Sequence, residues 1–517
     1  MSGSEWRDVP RWALLLGVIA LAGLALRLYH ASGTWLNPDE CLEFLHANHA
    51  SLEETIQDSR RSAHPPLLFV LIHFWRRLGE GELFLRLLSV IPSSLAIVFL
   101  GLWVRLIGGA AAGLLAAALF AASPHLAMNG AELRQYSLFL LGLTGALFSL
   151  EAAIEKQRAG WMVAFALFQL VAIWTLYSAM WAVAAIGACT LFRLFARPAS
   201  SRLRLSWVLA EAAGVLSYAL LWFSHLRQML ESNRLTGVAD SWMAGAYFQP
   251  HAQSIAWFTI RSTGALLGYM FSNVWCGALA AILMPAGLAA LIRERRYMAA
   301  AVLALPWAIV YAGSVLRLAA YGGSRHSLVL LPFLVAAAGI GGSVLARSRS
   351  ALVVLILLAA APFWPSWSGA GAQLVPRAEQ EQRHMRAMLA KIRELAPPGS
   401  ILIGDGQARA ILAYYLGRTE DTTLVDNGNI QLRDCGGYRV PSGRQWSMTI
   451  EDVADLFARL REAIPEPGKQ TTLCVSGGWG HPLCVELARR RPDLVRAGPW
   501  RFGKNLAVAE LARLRGD

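Results

Sequence analysis

The sequence predicts a mainly α-helical polytopic membrane protein of about eleven transmembrane helices, with interfacial helices in its first outer loop and a small C-terminal α/β domain. Three observations predict it. The 517 residues are 56% hydrophobic and only 16% charged, which is too much apolar surface for one soluble core. Apolar stretches of roughly 20 residues, the length that crosses ~30 Å of hydrocarbon, recur up to position 368. After Trp367 these runs stop while Arg, Glu, Asp and Gly rise, so 1–368 reads as a membrane domain and 369–517 as a separate soluble domain.

In chain order the spans fall at 12–30, 84–106, 110–128, 135–152, 160–175, 177–195, 206–226, 264–292, 298–318, 326–346 and 350–368. The fifth and sixth belong to one nearly continuous run, 161–195, interrupted only by Thr175-Leu176-Tyr177-Ser178. Residues 1–11 lead into the first run with no small-residue cleavage site, so that run reads as a retained helix and the N-terminus as cytoplasmic. Arg193, Arg197, Arg202 and Arg204, then Arg293, Arg295 and Arg296, then Arg347 and Arg349 all fall on the cytoplasmic side in that orientation. The same count puts 31–83, 124–132, 227–263 and everything after about 369 on the other side. The formal charge of +13 sits in these short Arg clusters between apolar segments, the pattern of loops facing anionic membrane lipid, and nucleic-acid binding is excluded.

The first outer loop alternates charged and apolar residues at helical spacing (Leu42, Phe44, Leu45; then Leu67, Leu68, Val70, Leu71, Phe74, Trp75), too short and too charged to span. One or two interfacial helices anchored by Trp35, Phe74 and Trp75 are expected. In the C-terminal domain, helices are predicted at 377–395, 407–416 and 482–490 and strands at 400–404 and 471–475, an α/β alternation. Its glycine turns, Gly404-Asp405-Gly406 and Gly477-Gly478-Trp479-Gly480, do not make a dinucleotide fingerprint. Cys189 and Cys276 read as small apolar filler. Cys435, Cys474 and Cys484 lack zinc-like spacing; in an oxidising compartment Cys474 could bridge to Cys484 or to Cys435, and the sequence does not separate the two.

Ionisable residues at the rim of membrane helices are costly and tend to be functional, and on the outer side they form a short list: Asp39, Glu40, His64, Arg86, Glu132, Arg134, Arg325 and His326. Asp39 is the candidate general base, because partial withdrawal from water moves a carboxylate toward the basicity that proton abstraction from a hydroxyl requires. Glu40 points elsewhere on a helix and is the more natural cap or ion-pair partner. In His64-Pro65-Pro66 the prolines hold the histidine ahead of a rigid helix entry. In Glu132-Leu133-Arg134-Gln135-Tyr136, Glu132 and Tyr136 share a helical face and Arg134 lies nearly opposite; either that turn is irregular or one of the three faces another helix. Arg325-His326, after the flexible Tyr321-Gly322-Gly323-Ser324, has the fork and donor that bind phosphate; interfacial snorkelling is the plainer alternative. Trp242, Tyr247, Phe248 and Trp257 in 227–263 either stack on a sugar or prenyl chain or form an interfacial belt.

Together and in this order these residues resemble the GT-C superfamily of membrane glycosyltransferases, in its protein-mannosyltransferase-like branch that includes the aminoarabinose transferase acting on lipid A. The resemblance rests on Asp39-Glu40, His64-Pro65-Pro66-Leu67, Arg86, Glu132-x-Arg134-x-Tyr136 and Arg325-His326 with Leu330-Leu331-Pro332, and covers roughly residues 10–345. It departs from the family at His326, where members often carry Tyr, and in the trailing soluble domain. It implies a bacterial inner-membrane enzyme taking a sugar from a polyprenyl-phosphate donor, with inversion, to the hydroxyl of a lipid, glycan or protein acceptor. Asp39 is then the essential carboxylate with Glu40, His64 and Glu132 in the catalytic set. Arg86, Arg134, Tyr136, Arg325 and His326 are on the donor phosphate, with a divalent metal ion as a further possible source of charge neutralisation. The rival reading is a transporter or flippase for a lipid-linked or anionic solute, which would show paired broken helices and internal symmetry; the sequence shows neither.

Overall fold

A computed structural model describes residues 9–196, 199–231, 243–271, 274–346, 380–417, 423–426, 431–442, 448–463, 471–478 and 482–512. The chain divides into two compact units: Met1–Ala31, Ser59–Leu68 and Arg86–Val375 form the first, and Ser32–Asp58, Phe69–Leu85 and Pro376–Asp517 the second. The expected boundary at 368/369 and the expected span 350–368 lie outside the described residues.

The first unit is a helical bundle built from α1 (Val9–Gly33), α5 (Glu82–Gly108), α6 (Ala110–Ala122), α7 (Pro124–Ala131), α8 (Tyr136–Lys156), α9 (Gly160–Ile173), α10 (Ala179–Ala196), α11 (Ser201–Leu221), α12 (Arg227–Glu231), α13 (Ile255–Phe271), α14 (Val274–Arg293), α15 (Tyr297–Val315) and α16 (Leu331–Leu345). Among the described residues eight helices are long and apolar enough to cross a membrane, and nine if the bent pair α6–α7 counts as one span. The protein is a multi-pass membrane protein. Large apolar side chains such as Leu14, Val215, Leu216 and Ile260 stand exposed on α1, α11 and α13, as lipid-facing residues do. Three expectations change. The run 264–292 is not one span but two helices, α13 and α14. The run 110–128 bends by 61° where Pro124, at the start of α7, cannot continue α6. With 14 residues α9 rises only about 21 Å, short of the hydrocarbon thickness. Glycine lets α16 sit tightly between α6 and α14, because a Cβ at Gly341 would overlap the Leu283 carbonyl and one at Gly339 would press on Ala116.

The second unit holds the first loop, apart from Ser59–Leu68, and the C-terminal domain. The loop forms three short helices rather than one or two: α2 (Pro38–Ala47), α3 (Leu52–Ser59) and α4 (Leu67–Trp75). The domain carries α17 (Gln382–Leu395), α18 (Gly406–Leu412), α19 (Ile450–Ala463) and α20 (Leu483–Arg490) with seven strands: β1 (Ile401–Ile403), β2 (Thr423–Asp426), β3 (Gln431–Cys435), β4 (Tyr438–Ser442), β5 (Thr472–Ser476), β6 (Val495–Phe502) and β7 (Leu506–Leu511). The sheet runs β2-β3-β4-β1-β5-β7-β6; β1 is parallel to β4 and β5, and the remaining pairs are antiparallel. β1 and β5 are buried along their length, as central parallel strands are. All six cysteines are buried and none is disulfide-bonded, so neither candidate bridge is present.

The loop is fastened to the domain by main-chain and phenol contacts. Trp35 N–H donates to Gln380 O at 3.0 Å, Thr34 bridges Glu381, and Leu36 N–H donates to the Tyr415 hydroxyl at 2.8 Å. Tyr415 in turn donates to Glu82, Tyr414 to Glu80 O at 2.8 Å, and the Tyr414 ring meets Phe44 edge-on. Trp35 is therefore buried, 1% exposed, and is not the interfacial anchor expected of it. Trp75 stacks on Phe84 and donates to its carbonyl, while Phe74 remains half exposed.

Candidate active site

A polar seam runs through the first unit where a lipid-soluble bundle would ordinarily be apolar. On α5, Arg86, Ser89 and Ser93 recur at intervals of three and four and share one face; on α1, Arg27 and Ala31 do the same. Arg27 donates through Nε to Ser93 Oγ at 2.6 Å and through Nη1 to Gly23 O at 3.0 Å and Ala121 O at 3.4 Å. Arg86 Nη1 donates to Ala31 O at 2.9 Å. Ser89 Oγ accepts from the Arg134 N–H at 3.3 Å and donates to the Arg134 carbonyl at 3.2 Å, pinning that residue's backbone. Gly130 closes the seam: a Cβ there would overlap Ser93 Oγ and crowd Arg27 Nε.

The helical-face conflict at 132–136 resolves locally. α7 ends at Ala131, Glu132 is extended (φ −86°, ψ 144°), and 133–135 turn before α8 begins at Tyr136. Regular helical spacing therefore does not apply to Glu132, Arg134 and Tyr136. The Arg134 guanidinium lies 5.8 Å from the Tyr136 ring centre. Gln135, fully buried, donates to His64 Nε2 at 2.7 Å and so ties the His64-Pro65-Pro66 segment to this turn. Leu67 N–H, the first amide of α4, donates to Trp174 O at 3.1 Å and fixes the same segment from its other side.

Tyr269 of α13 gathers the remaining groups. Its ring stacks on His125 at 3.8 Å, its hydroxyl accepts from Asn129 Nδ2 at 3.3 Å, and Tyr136, Glu132 and Arg325 lie within electrostatic reach of that hydroxyl. The Tyr136 hydroxyl is buried and has no hydrogen-bond partner among the described residues. Arg325 and His326, both half-buried, open a 3₁₀ turn (Arg325–Leu330) whose start is shaped by Gly322 at φ 142° and by the Gly322 N–H donating to Ser327 Oγ at 3.1 Å. A Cβ at Gly323 would overlap Ala265 O, so this loop approaches α13 at backbone distance.

Asp39 and Glu40 belong to the second unit. Asn37 caps α2 by accepting from Glu40 N–H at 3.0 Å, and Glu40 Oε2 accepts from Asn37 N–H at 3.0 Å, a reciprocal capping box with Pro38 in the first turn. Glu40 is fully buried in this role, whereas Asp39, one position earlier in the same turn, is half-buried. Among the described residues no three His, Cys, Asp or Glu side chains form a group able to hold a metal ion.

Sequence reasoning passed over Arg27, Gln135, Asn129 and Tyr269. A lone charge in the middle of an apolar helix was the available signal for Arg27; the other three are neutral and carry none.

Residues 63–225 match the family model described as dolichyl-phosphate-mannose-protein mannosyltransferase. The search of curated proteins returns no match. Among solved structures, ArnT from Cupriavidus metallidurans bound to undecaprenyl phosphate aligns with a TM-score of 0.55 and 15% identity over 98% of this chain and 99% of its own. The oligosaccharyltransferase of Archaeoglobus fulgidus tethered with an acceptor peptide aligns with a TM-score of 0.52 and 14% identity over 79% of this chain, which spans 63% of that enzyme's length. At these identities the likeness is one of fold: the chain shares the fold of these two proteins, and residues 63–225 match the mannosyltransferase family model.

Proposed function

We propose that the protein is a membrane glycosyltransferase that takes a sugar from a polyprenyl-phosphate donor and passes it to an acceptor hydroxyl at the outer face of a bacterial inner membrane, the N-terminus being cytoplasmic. The observation that carries this reading is the polar seam inside the helical bundle, in which Arg27, Arg86 and Arg134 are held by serine hydroxyls and backbone groups, with Glu132, Tyr136 and Arg325 within electrostatic reach of Tyr269. Guanidiniums in a low-dielectric setting favour the charge that develops on a phosphate leaving group. Structures of the same fold have been solved with undecaprenyl phosphate and with an acceptor peptide, which supports a lipid-linked donor and a separate acceptor.

In the proposed reaction the acceptor oxygen attacks the sugar's anomeric carbon from the face opposite the phosphate. The new glycosidic bond forms as the carbon–oxygen bond to phosphate breaks, and the configuration inverts. The hydroxyl proton passes to the Asp39 carboxylate. The polyprenyl phosphate leaves with its bonding electrons, and Arg134, Arg325 and His326 balance its charge, with Arg86 and Tyr136 completing the donor side. Glu132 and His64 orient the acceptor, and Glu40 keeps the helix start that carries Asp39 in place.

Release of polyprenyl phosphate from a polyprenyl-phosphate-linked sugar is the direct test. Asp39→Asn and Arg325→Ala are each expected to lower turnover by about a hundredfold or more with expression unchanged. Normal turnover in Asp39→Asn would refute the assignment of the base, and movement of intact donor across vesicles without sugar release would refute the enzyme reading altogether.

A further inference from the structure

About 30 Å along α5 from Arg86, where that helix ends, the first unit carries a cavity of about 200 Å³, open on one side. Its charged lining is Glu151 and Glu155 from the last turns of α8, Arg193 from α10, and Arg295 and Arg296 from the turn joining α14 to α15. Arg193 and Glu151 form a two-point pair at 2.6 and 2.7 Å, so they make a neutral wall. Arg296 is held by its Nη1 donating to Ile107 O at 2.8 Å, with Glu294 3.6 Å away at the surface.

Two features of the backbone set this cavity apart from a surface cluster of arginines. The α14–α15 turn closes in a Schellman motif: Arg296 N–H donates to Leu291 O at 2.8 Å and Arg295 N–H to Ile292 O at 3.0 Å. Arg295 occupies its left-handed position (φ 58°), where glycine is the preferred residue. The chain accepts a strained backbone to put a guanidinium there. The next helix, 19 residues long, starts at Tyr297 with no side-chain cap, and Met298 and Ala299 of its first turn line the cavity. Amides of that first turn have no intrahelical acceptor.

We infer that this cavity binds a phosphate group, held by the Arg295 and Arg296 guanidiniums and the opening turn of α15, either as the headgroup of a membrane lipid or as free phosphate. Arginine forks and first-turn amides are donors aimed at tetrahedral oxyanions, and the cavity lies at a bundle end, the level at which lipid headgroups pack. Glu155, one turn beyond Glu151 on α8, also lines the cavity and suits an ammonium or hydroxyl group attached to the same phosphate.

The test is the thermal midpoint of the full chain in detergent, titrated with short-chain phosphatidylglycerol, with diacylglycerol of the same chain length, and with inorganic phosphate. Phosphatidylglycerol is expected to raise the midpoint and diacylglycerol to leave it unchanged. Arg295→Gly relieves the left-handed strain, so it should fold at least as well as the parent while the half-saturating concentration rises about tenfold or more. Arg295→Asn, which also tolerates that backbone, should repeat the loss. A rise with phosphatidylglycerol alone assigns the site to a lipid headgroup, and an equal rise with inorganic phosphate assigns it to free phosphate. An undiminished response in both variants, or an equal rise with diacylglycerol, overturns the inference.

Discussion

Arg27 and Arg193 are both arginines of the helical bundle, and they are held in opposite ways. Arg27 is fully buried, and its partners are a serine hydroxyl and two backbone carbonyls. Arg193 is about a fifth exposed and is met by both oxygens of Glu151. A carboxylate cancels a guanidinium; neutral oxygens solvate it and leave its field in place. In a low-dielectric bundle that field is felt at neighbouring groups rather than screened. Arg27, beside Ser93 and Gly130, therefore acts as a source of positive potential next to the α7–α8 turn, and Arg193 as a strut between α8 and α10.

The comparison can be broken most sharply at Arg27. Arg27→Ala would leave Ser93 and the Ala121 carbonyl without their donor in a space nothing else fills. Denaturation in detergent should show a loss of about 3 kcal/mol, with polyprenyl-phosphate release falling in the protein that remains folded. If the variant is as stable as the parent, Arg27 is not the seam's organising group. At the other end Glu151→Gln keeps the shape and removes the countercharge, and the same measurement should record only about 1–2 kcal/mol, because water reaches this pair. A loss as large as that at Arg27 would erase the distinction between strut and charge source.

The smallest effect concerns a third kind of partner. Arg77 donates to His73 Nε2 at 2.7 Å, and His73 Nδ1 contacts Thr55 Oγ1 at 3.0 Å, so the imidazole is neutral and bridges α4 to α3. Burial, then the nearby Arg77 and Arg76 charges, hold its pKa below 6.5. A depressed histidine takes up its proton more readily in the unfolded chain. Its contribution to stability is thus complete above pH 6.5 and is lost as the pH falls below that value. Hydrogen exchange of α3 amides should quicken in excess of the intrinsic pH effect on acidification through this range, and His73→Gln should flatten the dependence.

These particulars also show what the sequence makes legible. The long apolar runs reveal the spans because hydrocarbon thickness imposes a length, and the runs 12–30, 84–106 and 298–318 each coincide with a helix. Length alone cannot divide a run that stays apolar through a turn, and so 264–292 hides two helices. Charge made Asp39, His64, Glu132, Arg134 and Arg325 visible, whereas the groups that the last four meet within the first unit are neutral: Ser89, Gln135 and Tyr269. Of the seven strands two were expected. The hairpin of β3 and β4 did carry a signal, Gly436-Gly437, both at positive φ between the paired Cys435 and Tyr438. β6, whose sequence Val-Arg-Ala-Gly-Pro-Trp-Arg-Phe keeps no apolar–polar alternation, has no such mark.

The fastening of the first loop to the C-terminal domain bears on how the protein is made. Leu36 and the tyrosine whose hydroxyl receives its amide are 379 residues apart, so a ribosome adding about 5–20 residues per second needs roughly 20–75 s to supply the second after the first. Throughout that interval Trp35 and the stretch leading to Asp39 are without Gln380 and Tyr415, their partners in the finished fold. The segment proposed to carry the base is among the first parts of the chain to be synthesised and among the last to be set, so the protein acquires its proposed chemistry only when its C-terminal domain has been delivered and folded.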